Sequence, residues 1–296
     1  MAMPILILDG GISRELQRLG APFRQPEWSA LALIETQHLV EQVHGEFVDA
    51  GAHVISTNSY AIVPFHIGAA RFVADGASLA ALSGQLARRA ATRPGSDGAR
   101  VAGSLPPVLG SYRPDLFEKN AARAILDILI SGLSPYVDIW LAETQSSLAE
   151  AALVAELLAG DTRPLWLSFT LRDEGAPLLR SGETVASAAE LAVNAGAEAI
   201  LFNCSCPEVM DAAIIAARAA LGTRDVAIGV YANGFAAHAE EKAANEDIQS
   251  IRDDLGPDAY LKWAKQWTAS GATMVGGCCG IGCDHIAALA NGLHAD

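Results

Sequence analysis

The sequence is poor in positive charge. Its 20 lysines and arginines stand against 34 aspartates and glutamates, which gives a formal net charge of -14. A chain with this excess of negative charge repels nucleic-acid phosphates and anionic lipid head groups. We therefore expect small-molecule partners, with no nucleic acid and no membrane among them.

Long hydrophobic runs and a secretory leader are also missing. No stretch approaches the roughly 18 apolar residues of a membrane span, and the apolar run 5–8 is too short for a signal peptide. The five cysteines are odd in number and lie in the last third of the chain, which does not fit a secreted disulfide framework. The sequence predicts a cytoplasmic protein whose cysteines bind metal or react.

One short pattern recurs, in which a small residue, glycine and alanine precede an apolar run. Its glycines are Gly51, Gly196 and Gly271, spaced by 145 and 75 residues. Each copy is typical of a helix that ends at glycine and is followed by a buried strand. The spacings correspond to four and two units of about 36 residues, and eight such units would fill the chain.

Apolar runs occupy all eight positions expected from this period. The predicted strands are 5–8, 53–57, 100–102, 137–141, 165–169, 199–202, 226–230 and 273–275, and the predicted helices are 33–49, 77–89, 117–133, 147–158, 184–194, 207–221, 257–269 and 284–291. This alternation favours an α/β fold: a single (β/α)8 TIM barrel domain over 1–296, with its active site at the C-terminal ends of the strands. An open doubly wound sheet is the alternative.

Polar or conformationally special residues follow nearly every predicted strand. The stretches 103–114 and 233–254 are interpreted as extended loops on the same face of the barrel. Two carboxylates and three thiols converge there. Together with two glycines and one asparagine, they are the candidate site residues at the strand ends: Asp9, Gly10, Gly11, Asn58, Glu143, Cys204, Cys278 and Cys279.

The three thiols can form a metal site. Cys204, Cys278 and Cys279 would hold one Zn²⁺ with a fourth position open for substrate, as in catalytic rather than structural sites. Buried apolar thiols and a vicinal disulfide or redox pair are the alternatives. Cys206 and Cys283 are weaker ligand candidates, and His285 is expected on a helix surface.

The two acids suit an amino-acid substrate. Asp9 could receive a substrate ammonium, while the amides of Gly10 and Gly11 could hold its carboxylate. Glu143 emerges from a buried strand, where an ionised carboxylate needs a partner or a ligand. Two acids beside a thiophilic metal predict a site for an amino acid that carries a thiol.

These motifs resemble the homocysteine S-methyltransferase family over essentially the whole chain. They include Leu8-Asp9-Gly10-Gly11, Phe202-Asn203-Cys204 and Gly276-Gly277-Cys278-Cys279-Gly280. The resemblance implies zinc bound by Cys204, Cys278 and Cys279, and homocysteine bound by Asp9 and Glu143. It implies a methyltransferase that transfers a methyl group from a small donor to the thiol of L-homocysteine and forms methionine.

Two loops depart from the family pattern. The segments 106–114 and 231–235 replace the usual Gly-Pro-x-Gly and Tyr-Pro-Asn-Ser-Gly, and their donor-site candidates are Tyr112, Arg113 and Asn233. Ala61 stands where betaine enzymes carry an aromatic residue, so S-methylmethionine or S-adenosylmethionine is the favoured donor. The absence of further domains argues against a complete cobalamin enzyme. A methyltransferase for another small thiol or selenol, or a non-catalytic zinc or amino-acid binding protein, is the alternative.

Overall fold

The structure is a computed structural model that describes residues 4–96, 98–236 and 251–293. Its eight strands in the described part follow one another at intervals close to those predicted. They are β1 Leu6–Ile7, β2 Val54–Ser56, β3 Arg100–Leu105, β4 Ile139–Gln145, β5 Leu165–Phe169, β6 Ala199–Asn203, β7 Ala227–Tyr231 and β8 Met274–Val275.

Helices connect the strands, and polar N-caps define where several of them begin. The Ser147 side chain and Glu150, for example, form a reciprocal capping box at the start of the helix after β4. The helices are α1 Ile12–Arg18, α2 Ser29–Glu35, α3 Gln37–Asp49, α4 Pro64–Ile67, α5 Ala69–Ala91, α6 Lys119–Leu133, α7 Leu148–Leu157, α8 Val185–Asn194, α9 Pro207–Leu221, α10 Pro257–Ser270 and α11 Cys283–Leu293. None of the helices in the described residues is long and apolar enough to cross a bilayer.

All eight strands are parallel and form one closed sheet. The hydrogen-bonded order is β1-β8-β7-β6-β5-β4-β3-β2, and a parallel bridge between Leu8 and Val54 joins β1 to β2. The amide of Asp9 donates to the carbonyl of Val54 at 3.0 Å, which continues this junction. The (β/α)8 barrel prediction is therefore confirmed, and the open doubly wound alternative is wrong.

Side chains on each strand alternate between two buried layers. On β5, Trp166 belongs to a cluster inside the barrel, whereas Leu167 and Phe169 belong to the larger cluster under the helices. Leu8, Leu141 and Leu201 fill the interior beside Trp166. Because the interior is packed with apolar side chains, as in other barrels of this type, polar chemistry is confined to the rim.

Some element boundaries differ from the sequence prediction. The helix expected over 33–49 is two helices, because the backbone leaves the helical region at Thr36, where φ is -139°. The loop expected over 103–114 begins later, since 103–105 pair with β4 as part of β3. The short helices α1 and α4 were not predicted. Residues 237–250 of the expected loop 233–254 lie outside the described residues.

Candidate active site and metal centre

The C-terminal ends of the strands surround a cavity of about 150 Å³. It contains nine of the sequence-predicted site residues, contributed by β4 and by the segments that directly follow β1, β2, β3, β6 and β8. These nine lining residues are Asp9, Gly10, Gly11, Asn58, Tyr112, Glu143, Cys204, Cys278 and Cys279.

Three sulfur atoms meet at one side of this cavity. The Sγ atoms of Cys204, Cys278 and Cys279 lie within 4.8 Å of one another. Cys204 and Cys278 are joined as a disulfide, with their Cα atoms 5.7 Å apart, while Cys279 is free. Burial raises the pKa of the Cys279 thiol to about 11, so this group holds its proton at neutral pH unless a cation binds it. A metal-binding form of the cluster requires the Cys204–Cys278 pair to be reduced.

Glycines allow the β1 and β8 ends to approach closely enough to build this side of the site. A Cβ at Gly277 would lie 2.1 Å from the Ile281 side chain, and one at Gly11 would lie 2.5 Å from the Cys278 carbonyl. The amide of Gly11 donates to the carbonyl of Ile281 at 2.9 Å. This corrects the expectation that the Gly11 amide would hold a substrate carboxylate, because the folded chain already uses it.

Asp9 is a buried carboxyl at the end of β1. Its Oδ2 accepts a hydrogen bond from the amide of Ser56 at 2.7 Å, and its Oδ1 accepts one from the Ser56 hydroxyl at 3.2 Å. Burial raises the pKa of Asp9 to about 8, and the nearby negative charge of Glu143 contributes in the same direction. The site therefore favours a cation beside this carboxyl.

Glu143 is the second acid of the cavity. Its Oε2 accepts a hydrogen bond from the Ser104 hydroxyl on β3. Burial raises the pKa of Glu143, although the hydrogen bond from the Ser104 hydroxyl partly opposes that increase. Two acids with raised pKa values thus face one cavity, which suits a ligand that carries an ammonium group.

The end of β4 is irregular beside Glu143. Ala142 pairs with Leu167 and Gln145 pairs with Phe169, so two β4 residues oppose one residue of β5. The second of them, Thr144, has a φ of +60°. Both Glu143 and Thr144 line the cavity as a result, whereas successive residues of a regular strand point to opposite faces.

The proposed donor-site residues have different positions. Tyr112 lines the cavity, and its ring lies under the guanidinium of Arg180 at 5.0 Å. Arg113 and Asn233 lie outside the lining. Arg113 forms an ion pair with Asp115 at 2.6 Å, and the Asn233 side chain accepts a hydrogen bond from the amide of Phe235 at 3.1 Å. Each of these contacts is made within the residue's own loop.

Sequence reasoning missed several residues of the lining. Tyr231 ends β7 on the same rim, so the position of the strand end could have identified it. Its hydroxyl has no partner within hydrogen-bond distance among the described residues, yet it lies near enough to Glu143 for each to affect the other's pKa. Trp28 lies in the connection between β1 and β2, where no periodic pattern marks it. Phe235 lies in the loop after β7.

The weaker ligand candidates lie elsewhere. Cys206 is buried and its thiol faces the carbonyl of Phe235 at 3.8 Å, while Cys283 forms a separate cluster with Glu15 and Glu46. His285 is half-buried, with Nε2 2.9 Å from the Leu255 carbonyl, so it is not a simple helix-surface residue as expected.

Comparison with known proteins identifies the family. The model of the family described as "Homocysteine S-methyltransferase" matches residues 6–293. The chain belongs to the homocysteine S-methyltransferase family. Homocysteine S-methyltransferase 1 of Zea mays is 30% identical over 92% of this chain and 89% of its own length. The homocysteine S-methyltransferase of Escherichia coli is 31% identical over 96% of this chain and 94% of its own length.

A solved structure in this family is also similar to the chain. It is the metallated form of the homocysteine methyltransferase MmuM from Escherichia coli, with a TM-score of 0.78 and 29% identity, covering 98% of this chain and 96% of that one. Together with the cluster of three thiols, this similarity indicates a metal-binding enzyme.

Proposed function

We propose that this chain transfers a methyl group from a sulfonium donor to the thiol of L-homocysteine, with Zn²⁺ held by Cys204, Cys278 and Cys279. The observation that carries the proposal is the meeting of three thiols and two buried acids in one cavity at the C-terminal rim of the barrel. An amino acid that carries a thiol complements both halves of that cavity.

The donor set fits zinc. Among the described residues, no histidine joins the sulfur cluster, so the site would offer a bound ion three soft ligands and leave the fourth to the substrate. Tetrahedral zinc with three protein ligands is typical of catalytic sites. When bound, zinc would lower the pKa of the homocysteine thiol so that the thiolate is present at neutral pH.

The chain's own residues bind and orient the amino acid. Asp9 and Glu143 receive the homocysteine ammonium, whose positive charge returns both carboxyls toward their ionised forms. The oxygens of Asn58 and Tyr231 are buried in the lining without hydrogen-bond partners among the described residues. Each can complete a hydrogen bond when an amino acid enters. These contacts hold the sulfur of homocysteine toward the three cysteines.

The aromatic part of the cavity lining suits a cationic donor. Its lining includes the rings of Trp28, Tyr60, Tyr112 and Phe235, and aromatic faces attract cations such as a sulfonium. Attack of the homocysteine thiolate on the methyl carbon forms the new S–CH₃ bond as the donor's S–CH₃ bond breaks. The donor leaves as a neutral thioether. S-methylmethionine and S-adenosylmethionine are the favoured donors.

The test is methionine formation by the reduced, zinc-loaded protein over a panel of donors. S-methylmethionine, S-adenosylmethionine, betaine and methyltetrahydrofolate are each supplied with homocysteine. Cysteine and selenohomocysteine replace homocysteine in parallel reactions. Turnover with a sulfonium donor and homocysteine is expected. Preference for another thiol or a selenol would show that homocysteine is not the acceptor. Binding of homocysteine without turnover of any donor would indicate a non-catalytic zinc or amino-acid binding protein.

A further inference from the structure

The side chain of Asn203 joins three neighbouring strands below the cavity. On β6 it is completely buried, and its Nδ2 donates to Thr144 Oγ1 on β4 at 2.7 Å. Its Oδ1 accepts from the amide of Thr144 at 3.2 Å and from the Ser168 hydroxyl on β5 at 2.7 Å. The side-chain NH₂ of Asn203 therefore binds β4, and its oxygen binds both β4 and β5.

These hydrogen bonds fall on the irregular part of β4. Glu143 and Thr144 form a β-bulge opposite Ser168, an arrangement that is rare in parallel sheets. A φ of +60° at Thr144 places a β-branched residue in the left-handed region, which such residues seldom adopt without support. Asn203 supplies that support by binding both the amide and the hydroxyl of Thr144.

The bulge decides where Glu143 points. In a regular strand, Glu143 and Thr144 would face opposite sides of the sheet, whereas both line the cavity here. Asn203 also directly precedes Cys204, whose φ is +49°. One side chain thus fixes the strand end that carries the acid and adjoins the residue that carries the thiol.

We propose that Asn203 is a positioning residue for methyl transfer, which holds the Glu143–Thr144 bulge so that the acid and the cysteine cluster face the same substrate. It touches neither substrate in this arrangement and acts through Thr144. The proposal rests on the proposed function, because its effect is expressed as binding of homocysteine.

The experiment compares Asn203→Ala with the double variant Asn203→Ala/Thr144→Gly in the zinc-loaded protein. Loss of the buried hydrogen bonds should raise the KM and the calorimetric Kd for homocysteine about tenfold, with a smaller change in kcat. Glycine adopts a positive φ without support, so the double variant should recover part of the lost affinity even though Asn203 is absent.

Further variants separate positioning from a general loss of stability. Ser83→Ala removes a different buried hydroxyl, which donates to the carbonyl of Ala80 at 2.9 Å on α5, and should lower the Tm with no change in KM. Thr144→Val removes the oxygen that accepts from Asn203 and should raise the homocysteine KM. Thr144→Ser keeps that oxygen and should retain most of the wild-type affinity for homocysteine. These two variants give the result if Asn203→Ala does not fold.

Different results would contradict the proposed function and the positioning role of Asn203. A wild-type protein that neither binds nor methylates homocysteine would overturn the proposed function, and the role of Asn203 with it. An active wild type whose Asn203→Ala variant shows a lower Tm but an unchanged homocysteine KM would overturn the positioning role alone. Equal KM values for Thr144→Val and Thr144→Ser would do the same.

Discussion

Ser56 donates two hydrogen bonds to the carboxyl of Asp9 across the β1–β2 junction, one from its amide and one from its hydroxyl. Despite these donors, burial keeps the pKa of Asp9 at about 8. The two effects have opposite signs, and desolvation is the larger. The carboxyl is therefore mostly protonated at neutral pH in the ligand-free protein, and an arriving ammonium would ionise it.

This raised pKa predicts a pH-dependent stability of the metal-free protein. Asp9 has a higher pKa in the folded chain, about 8, than its ordinary 3.8. Between pH 3.8 and about 8, the folded state therefore binds a proton that the unfolded state lacks. The free energy of unfolding accordingly increases as the pH falls through this range. Thermal unfolding at pH 8, 7, 6 and 5 should show the Tm of the wild type increasing relative to Asp9→Asn. A constant difference between the two proteins would contradict the assignment.

Replacing Glu143 should weaken homocysteine binding while the protein keeps its metal. Glu143→Gln can still accept from the Ser104 hydroxyl but loses the charge that would pair with the ammonium. We expect the homocysteine KM to rise about 100-fold, the order of effect when one partner of a buried charge pair is removed. Metal content should stay near that of the wild type.

The control for Glu143 is Glu150→Gln. Glu150 is also a buried acid, but it accepts from the amides of Ser146 and Ser147 at the start of α7 and is not part of the cavity lining. That variant should lower thermal stability and leave the homocysteine KM unchanged. Equal KM values for Glu143→Gln and the wild type would remove Glu143 from the proposed site.

Removing the ring of Tyr112 should affect the donor more than the acceptor. Tyr112→Ala takes away an aromatic face of the cavity and the partner of the Arg180 guanidinium. Loss of a cation–aromatic contact of about 1 kcal/mol corresponds to a donor KM raised about fivefold. Steady-state kinetics with each substrate varied in turn would measure it.

A matched change in the same loop is Asp115→Asn, at an exposed position that pairs with Arg113. It should alter neither KM. A larger effect of Tyr112→Ala on the homocysteine KM than on the donor KM would move the donor to another part of the cavity.

The cysteine variants should divide into two groups. Cys204→Ser, Cys278→Ser and Cys279→Ser each replace a soft thiolate by a much poorer zinc ligand, so metal content and methyl transfer should fall together. Cys206→Ser and Cys283→Ser should keep the metal, because both thiols lie outside the cluster. Metal analysis and activity of all five reduced proteins would show the division.

The barrel should remain folded without the metal. Its apolar core is far larger than that of the small domains whose folding depends on zinc. Chelation should therefore abolish activity and preserve the far-UV circular dichroism spectrum. Loss of the helical signal on chelation would show that the metal is structural. Metal retained by Cys204→Ser but lost by Cys206→Ser would show that Cys206, and not Cys204, is the metal ligand.

The sequence alone determined the architecture. Regular spacing of Gly51, Gly196 and Gly271 before apolar runs predicted parallel strands at a barrel's period, because buried strands and glycine-terminated helices leave local signals. It also placed Asp9, Glu143 and the three cysteines at strand ends, since polar residues directly after buried strands are visible without knowing their neighbours.

Only the tertiary structure decided how the rim is used. Long-range pairing engages the Gly11 amide with the Ile281 carbonyl and the Asn233 amide with the Ser205 carbonyl, although the local sequence left both amides free for a ligand. The bulge at Glu143 depends on Asn203, which is 59 residues from Thr144 and adjoins it only after β4, β5 and β6 pair. Hydrogen bonds between distant strands have no period along the chain, so side-chain direction at the site emerges from folding and not from local pattern.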